Sequence, residues 1–247
     1  MSTDVFCVSR AYAQVVINLL TQRGLPIPNS IGALLDEGEP EDPVAIDQWV
    51  QLLEDASALI PDMPIGLLVG QAIQPHHLGI LGYALMASDN VGELLRRYVR
   101  YQCTFIRGFP TELSTSGDTA TLRWPVLTPF SIFQSNVCAV TAMLTALRTA
   151  TGQKRLFPAH IGFVDEKPPE VRKYKAVLGH NLSFNNDVMS FALPASMLEL
   201  SLVGADAQLI SIIHRQLDDL TPLVAAGEQS DELLVNLHRH IAIGPVS

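Results

Sequence analysis

Charge and cysteine are both scarce in this chain. Charged residues account for 17% of its 247 positions, and Lys plus Arg number 16 against 25 for Asp plus Glu, a net charge of −9. That balance excludes a surface that grips nucleic acid, which needs concentrated basic side chains to neutralise phosphates. From Glu199 onward there are seven acidic residues and two basic ones, Arg215 and Arg239, so this end is not a DNA-reading end. Cysteine is limited to Cys7, Cys103 and Cys138, far apart and without a CxxC pair. A disulfide framework or a cysteine-bound metal is thereby excluded, and reduced cytoplasmic thiols are expected. No apolar run reaches the ~18 residues that span a bilayer. The start, MSTDVFCVSR, lacks the basic-then-apolar order of a secretory signal. GxSxG, Walker, HExxH and GxGxxG motifs are all missing, so neither an enzyme nor a cofactor is expected. His76 and His77 are adjacent and diverge on a helix, and His238 and His240 are two apart, so no metal site is expected.

What the chain has is apolar periodicity: hydrophobic residues make up 48% of it, enough for a large core. Tyr12, Val15, Val16, Leu19 and Leu20 fall on one face of a helix from Ser9 to Gly24. Past a proline-containing loop and the acidic stretch DEGEPED, Asp42-Pro43 predicts a helix start and Trp49, Leu52, Leu53 and Ala56 its buried side. Ile65 to Ala72 is a short apolar segment. His76 to Arg107 predicts two helices around a corner at Ser88-Asp89, the first buried, with Gly79 and Gly82 on one face, and the second amphipathic. On the second helix Arg96, Arg97 and Arg100 fit a solvated face, with Glu93 and Arg97 paired four apart.

After Arg107 the period changes. Strand-like residues flank Ser116-Gly117-Asp118, the signature of a β-hairpin. A long helix is predicted over Ser131 to Thr151, ended by Gly152. Then follow a short strand within Ala159 to Val164, a helix over Pro168 to Leu178, and a second hairpin turning at Asn185-Asn186-Asp187. Leu209, Ile213, Leu217 and Leu220 mark another helix, and Leu233 to Ile241 a last one. The class is α+β: a small, mostly antiparallel sheet of two hairpins plus a short strand, packed against several helices.

Two stretches carry a family resemblance. LGILGYALMASDNVGELLRRYVRY resembles the Leu-Gly-x-Leu-Gly-Tyr segment and capped helix of the N-terminal effector-binding domain of AraC-type bacterial transcription regulators. Further on, Thr151, Gly152, Pro158, Phe163, Pro168, Tyr174, Gly179, Phe184, Phe191 and Ala205-Asp206 stand in that family's order. Asp165 stands where the family often has histidine, and Leu178 where phenylalanine is usual. The resemblance implies a regulatory region over residues 1–200, helical over 1–107 and α+β over 108–200. It also implies a helical dimerisation and linker segment at 201–247, leading to a helix-turn-helix domain beyond it, through which alone DNA would be bound. A small-molecule effector and a homodimer are the partners implied.

For the effector, Trp124, Phe133, Cys138 and His160 are expected to line a cavity between the hairpins and the long helix. For the dimer, Leu209, Ile213, Leu217 and Leu220 form an apolar stripe after the core is complete. Two other classes fit less well: a free-standing small-molecule binding protein, and an enzyme using Cys138 as nucleophile with His160 as base.

Overall fold

The computed structural model describes residues 6–28, 42–126, 128 and 130–218. Two sheets frame it. In the smaller, β1 (Cys7–Ser9) pairs antiparallel with β2 (Pro43–Ala45) on one side and β3 (Ile106–Arg107) on the other. The larger runs β4 (Glu112–Ser116), β5 (Thr119–Trp124), β8 (Met189–Pro194), β6 (His160–Gly162), β7 (Leu182–Ser183), antiparallel except for the β6–β7 pair. The helices are α1 (Arg10–Gln22), α2 (Ile46–Leu59), α3 (Ile65–Ala72), α4 (Gly79–Met86), α5 (Val91–Tyr101), α6 (Phe133–Thr151) and α7 (Val171–Leu178). An eighth, α8, covers residues 207–218. A single buried cluster runs from Val8 to Leu217 and takes in residues on both sides of residue 107.

The α+β class holds, and the sheet differs from its expected form in two places. The small sheet is one. Asp42-Pro43 does not open a helix; Pro43 starts β2, a strand end where its missing N–H costs nothing, and Val44 buries completely. Backbone pairing with β1 outweighs the local cap-plus-proline signal, and α2 begins only at Ile46. The second difference is the supposed hairpin at Asn185-Asn186-Asp187. Here β6 lies between β7 and β8, so those two strands never pair. The turn is tied to β6 instead: the Asn186 amide and its side-chain Nδ2 both donate to the Phe163 carbonyl, at 3.0 and 2.8 Å. A parallel β6–β7 pair needs a crossover, and α7 supplies it.

At the corner between α4 and α5, Asn90 rather than Ser88 or Asp89 caps the second helix, its Oδ1 accepting from the Glu93 amide at 2.9 Å. Gly82 fits its expected use, since a Cβ there would fall 1.8 Å from the Pro75 carbonyl oxygen. Gly79 has nothing near it and serves instead through its backbone, with φ of 56°. Residues 220, 233–241 and 244–245, with His238 and His240, lie outside the described residues.

A second close backbone approach joins α3 to α6. A Cβ on Gly66 would meet the Gln134 carbonyl oxygen at 2.3 Å, and one on Gly70 would meet the Cys138 carbonyl oxygen at 2.6 Å. Spaced four apart, the two glycines lie on one face and let the helices touch backbone to backbone. Gln134 then stitches three helices together. Its Oε1 accepts from the Gly66 amide at 2.9 Å, at the unsatisfied start of α3, while its Nε2 donates to the Tyr174 hydroxyl of α7 at 3.0 Å. Asp165 holds the start of α6, accepting from the Ser131 hydroxyl at 2.6 Å. Leu178 is fully buried, so leucine there serves packing.

Candidate functional site

With one face of α6 pressed on α3, a neighbouring face is left lined by small side chains: Ser135, Cys138, Ala139, Ala142, Ala146 and Thr149. They recur at helical spacing, and their shortness leaves room. A cavity of about 80 Å³ opens between this face and the helical half, where α1, α2, α4 and α5 contribute Tyr12, Trp49, Leu85 and Tyr98. That is several times the space one buried water needs. Phe105, just before β3, completes an aromatic wall: Tyr12 stands 6.1 Å from the rings of both Trp49 and Phe105, and Tyr98 stands 5.9 Å from Phe105. Trp49 is pinned to α6, its indole N–H donating to Ser135 Oγ at 3.0 Å. A smaller cavity of about 40 Å³ adjoins the first across Val8, Tyr98, Ile106, Ser135 and Ala139.

No Asp, Glu, Lys, Arg or His among the described residues lines the larger cavity. Its titratable groups are Tyr12, Tyr98 and Cys138, and burial keeps all three protonated. Desolvation pushes the Tyr98 phenol and the Cys138 thiol up to about 12. It raises Tyr12 well above its ordinary value, helped by the nearby Tyr98 and Cys138. The site is therefore electrically neutral at physiological pH.

Of the four residues expected to line one cavity, Cys138 lines the larger void and Trp124 the smaller. Phe133 and His160 line neither. Phe133 packs against Phe163 and Tyr174 with centroids 5.5 and 5.4 Å apart, on the side of α6 that meets β6 and α7. His160 Nε2 lies 2.9 Å from Ser183 Oγ, across the β6–β7 pair. The larger void thus sits between α6 and the helical half, and the smaller one between α6 and Trp124 of the first hairpin. Cys138 and His160 have different surroundings: burial pushes the thiol up to about 12, and the imidazole is hydrogen-bonded to Ser183. The residues that sequence reasoning passed over are the aromatic wall and the small-residue face. The signal for the latter is present in the repetition of Ser, Cys, Ala and Thr along α6, beside the larger residues that mark its core side.

Comparison with known proteins places this geometry. The family described as the arabinose-binding domain of AraC transcription regulators, N-terminal, matches residues 31–202. The chain belongs to that family. Its role is that of a regulatory, ligand-sensing domain of an AraC-type transcription regulator. The ornithine utilization regulator of Pseudomonas aeruginosa is 24% identical over 246 residues, covering 95% of this chain and 70% of the relative. The crystal structure of the transcriptional regulator CdpR from Pseudomonas aeruginosa has the same fold, with a TM-score of 0.55 at 18% identity. That match covers 81% of this chain and 60% of CdpR.

In this AraC-type domain the arginines of α5 are not simply a solvated face. Arg96 does pair with Glu93 at 2.7 Å in the open. Arg97 meets Glu93 at 3.8 Å, the pair expected four apart, and also donates from Nε to His214 Nε2 at 3.1 Å and from its terminal nitrogen to Ser88 Oγ at 2.7 Å. Arg100 and the Tyr101 hydroxyl both donate to Asp218 Oδ1, at 2.8 and 2.7 Å. His214 and Asp218 belong to α8. The chain leading to α8 is strapped down as well: Val91 N donates to the Leu200 carbonyl, Asp206 N to the Ala87 carbonyl and Val203 N to the Ala150 carbonyl. Two of the four residues expected to be free for a dimer face inward for the same reason. Ile213 is 5% exposed and Leu217 fully buried in their own chain, whereas Leu209 and the neighbouring Ile212 are 38% and 63% exposed. Leu220 is outside the described residues.

The buried thiol gives the AraC-type domain a pH signature. The folded state holds the Cys138 proton to about pH 12, while an unfolded chain releases it near 9.0. Its contribution to stability is therefore complete below about pH 9 and lost as pH rises toward 12; that of Tyr98 is lost between 10.0 and about 12. Denaturant unfolding of Cys138→Ala across pH 8 to 11 should show alkaline destabilisation beginning about one unit later than in the wild type. Parallel losses from pH 9 in both proteins would show that the thiol is not so enclosed.

Proposed function

We propose that the cavity on the small-residue face of α6 is the effector site of the regulator, and that α5 carries its occupancy to α8. The observation that carries this reading is the double role of α5. Leu94 and Tyr98 of this helix line the cavity, while Arg97, Arg100 and Tyr101, on the same helix, hold α8. A molecule that moves Tyr98 by even a fraction of its width also moves the hydrogen-bond donors that fix His214 and Asp218. DNA contact, on this reading, belongs to a helix-turn-helix part of the regulator, since the net charge of −9 offers phosphate no partner surface. The test is native mass spectrometry of the protein taken directly from its host. A non-covalent small molecule should travel with the wild-type chain and be missing from a cavity-filled Ala142→Phe variant. Equal adducts on both proteins would refute the assignment of the site.

Self-association is part of the same proposal, through the outer rather than the inner face of α8. Leu209 and Ile212 offer an exposed apolar edge there, and regulators that act on paired half-sites use two-fold partners. In sedimentation at tens of micromolar, Ile212→Glu should yield monomer with unchanged unfolding. Ile213→Glu should instead lose roughly 3 kcal/mol of stability, because it places a charge in the core. The reverse pattern would move the interface to the inner stripe.

A further inference from the structure

From the cavity lining, and resting on the reading of this cavity as the effector site, we infer the chemical class of the effector: a small, uncharged, largely apolar molecule bearing a ring and one or two hydrogen-bond acceptors. Three observations select this class. The first is the lack of any countercharge. Among the described residues the cavity meets no carboxylate, ammonium, guanidinium or imidazole. A carboxylate or ammonium entering it would shed water with nothing to replace the lost solvation, so charged ligands are discriminated against by about a hundredfold or more.

The second observation is the wall of Tyr12, Trp49, Tyr98 and Phe105, set against the methyl-sized side chains of Ala139 and Ala142. Aromatic edges and faces around a narrow gap suit a flat ring, which gains offset-stacked and edge-to-face contacts there.

The third observation is the supply of polar atoms. Gln74 and Thr149 line the cavity from exposed positions, and two other polar side chains are already engaged. Ser135 accepts from Trp49, and Thr145 donates to the Thr141 carbonyl. The Tyr12 and Tyr98 hydroxyls, by contrast, make no hydrogen bond among the described residues, although Tyr12 is 93% buried by area. A phenol O–H that meets open space without a protein partner is an offered donor, and it suits a ligand acceptor such as a carbonyl, ether or hydroxyl oxygen. Two such donors match one or two acceptors. They cannot satisfy the four or five hydroxyls of a sugar, whose remaining groups would be buried unpaired.

Titration calorimetry and thermal shift with matched small probes test this. Acetophenone and benzyl alcohol are the neutral ring-bearing probes, benzoate and benzylammonium their charged counterparts, and a free pentose the hydroxyl-rich one. Acetophenone and benzyl alcohol should bind at least about tenfold more tightly than the other three. Their binding should be lost in Ala142→Phe and in Ala139→Leu, two separate fillings of the void, at least one of which keeps wild-type cooperative unfolding. A charged probe or the pentose binding as tightly, with loss in the filled variants, would overturn the ligand class and leave the cavity as effector site. Binding of no probe, or binding that survives both fillings, would overturn the ligand class and count against the cavity itself.

Discussion

The backbone contact between α3 and α6 is the constraint on which the rest of the molecule depends. Gly66 and Gly70 bring the two helices so near that any side chain at either position would collide with the carbonyls of Gln134 or Cys138. Fixing α6 against α3 determines which way each of its other faces points. One face, with Phe133, meets Phe163 and Tyr174; another, carrying small residues, meets the helical half across a gap. The gap persists because the surrounding hydrogen bonds hold its walls apart. Trp49 to Ser135 ties α2, Gln134 ties α3 and α7, and Asp165 ties the start of α6 itself. Protein interiors otherwise collapse onto such spaces, since each lost methyl contact costs dispersion energy. Here the small side chains of α6 face the aromatic wall across the gap.

The helix α5, which lines the cavity, also meets α8. Segment 200–206 is bound to the corner before α5 and to the last turn of α6, and α8 follows directly from it. Asp206 opens α8, its Oδ1 accepting from the amides of Gln208 and Leu209. Exposed salt bridges contribute little to stability, so Arg100–Asp218 by itself would be a weak anchor. Here it acts together with Tyr101 on the same carboxylate oxygen, with the largely buried Arg97 on His214, and with Ile213 and Leu217 in the core. Such a joint holds α8 by several contacts at once.

Long, strongly periodic elements were legible in the sequence. The long helix ended by Gly152, the hairpin turning at Gly117-Asp118 and the α4–α5 corner all follow from local pattern. What escaped depends on partners distant in the chain. β1 and β2 are three residues each, and neither has a strand signal apart from the other. Leu182 to Leu193 has the alternation and turn residues of a hairpin, but β6 competes for the same strand edges and wins. The site was half legible: Cys138 and Trp124 stand at the voids, while Phe133 and His160, equally suggestive by type, face away. A helix period shows which residues share a face, not which neighbour that face will meet. The inward stripe of α8 illustrates the same limit, because apolar spacing marks burial without saying whether one's own chain or a partner provides it.

The most direct test of this account lies in the two glycines. In an open helix, glycine to alanine stabilises a protein by about 1 kcal/mol. If α6 is positioned by backbone contact, Gly66→Ala and Gly70→Ala should do the opposite, each lowering the unfolding free energy by roughly 2 kcal/mol or more as the helices are forced apart. Denaturant unfolding of the two variants beside the wild type measures the sign directly. Loss of stability in both is the result predicted here; a gain in either would mean that α3 and α6 do not meet as described.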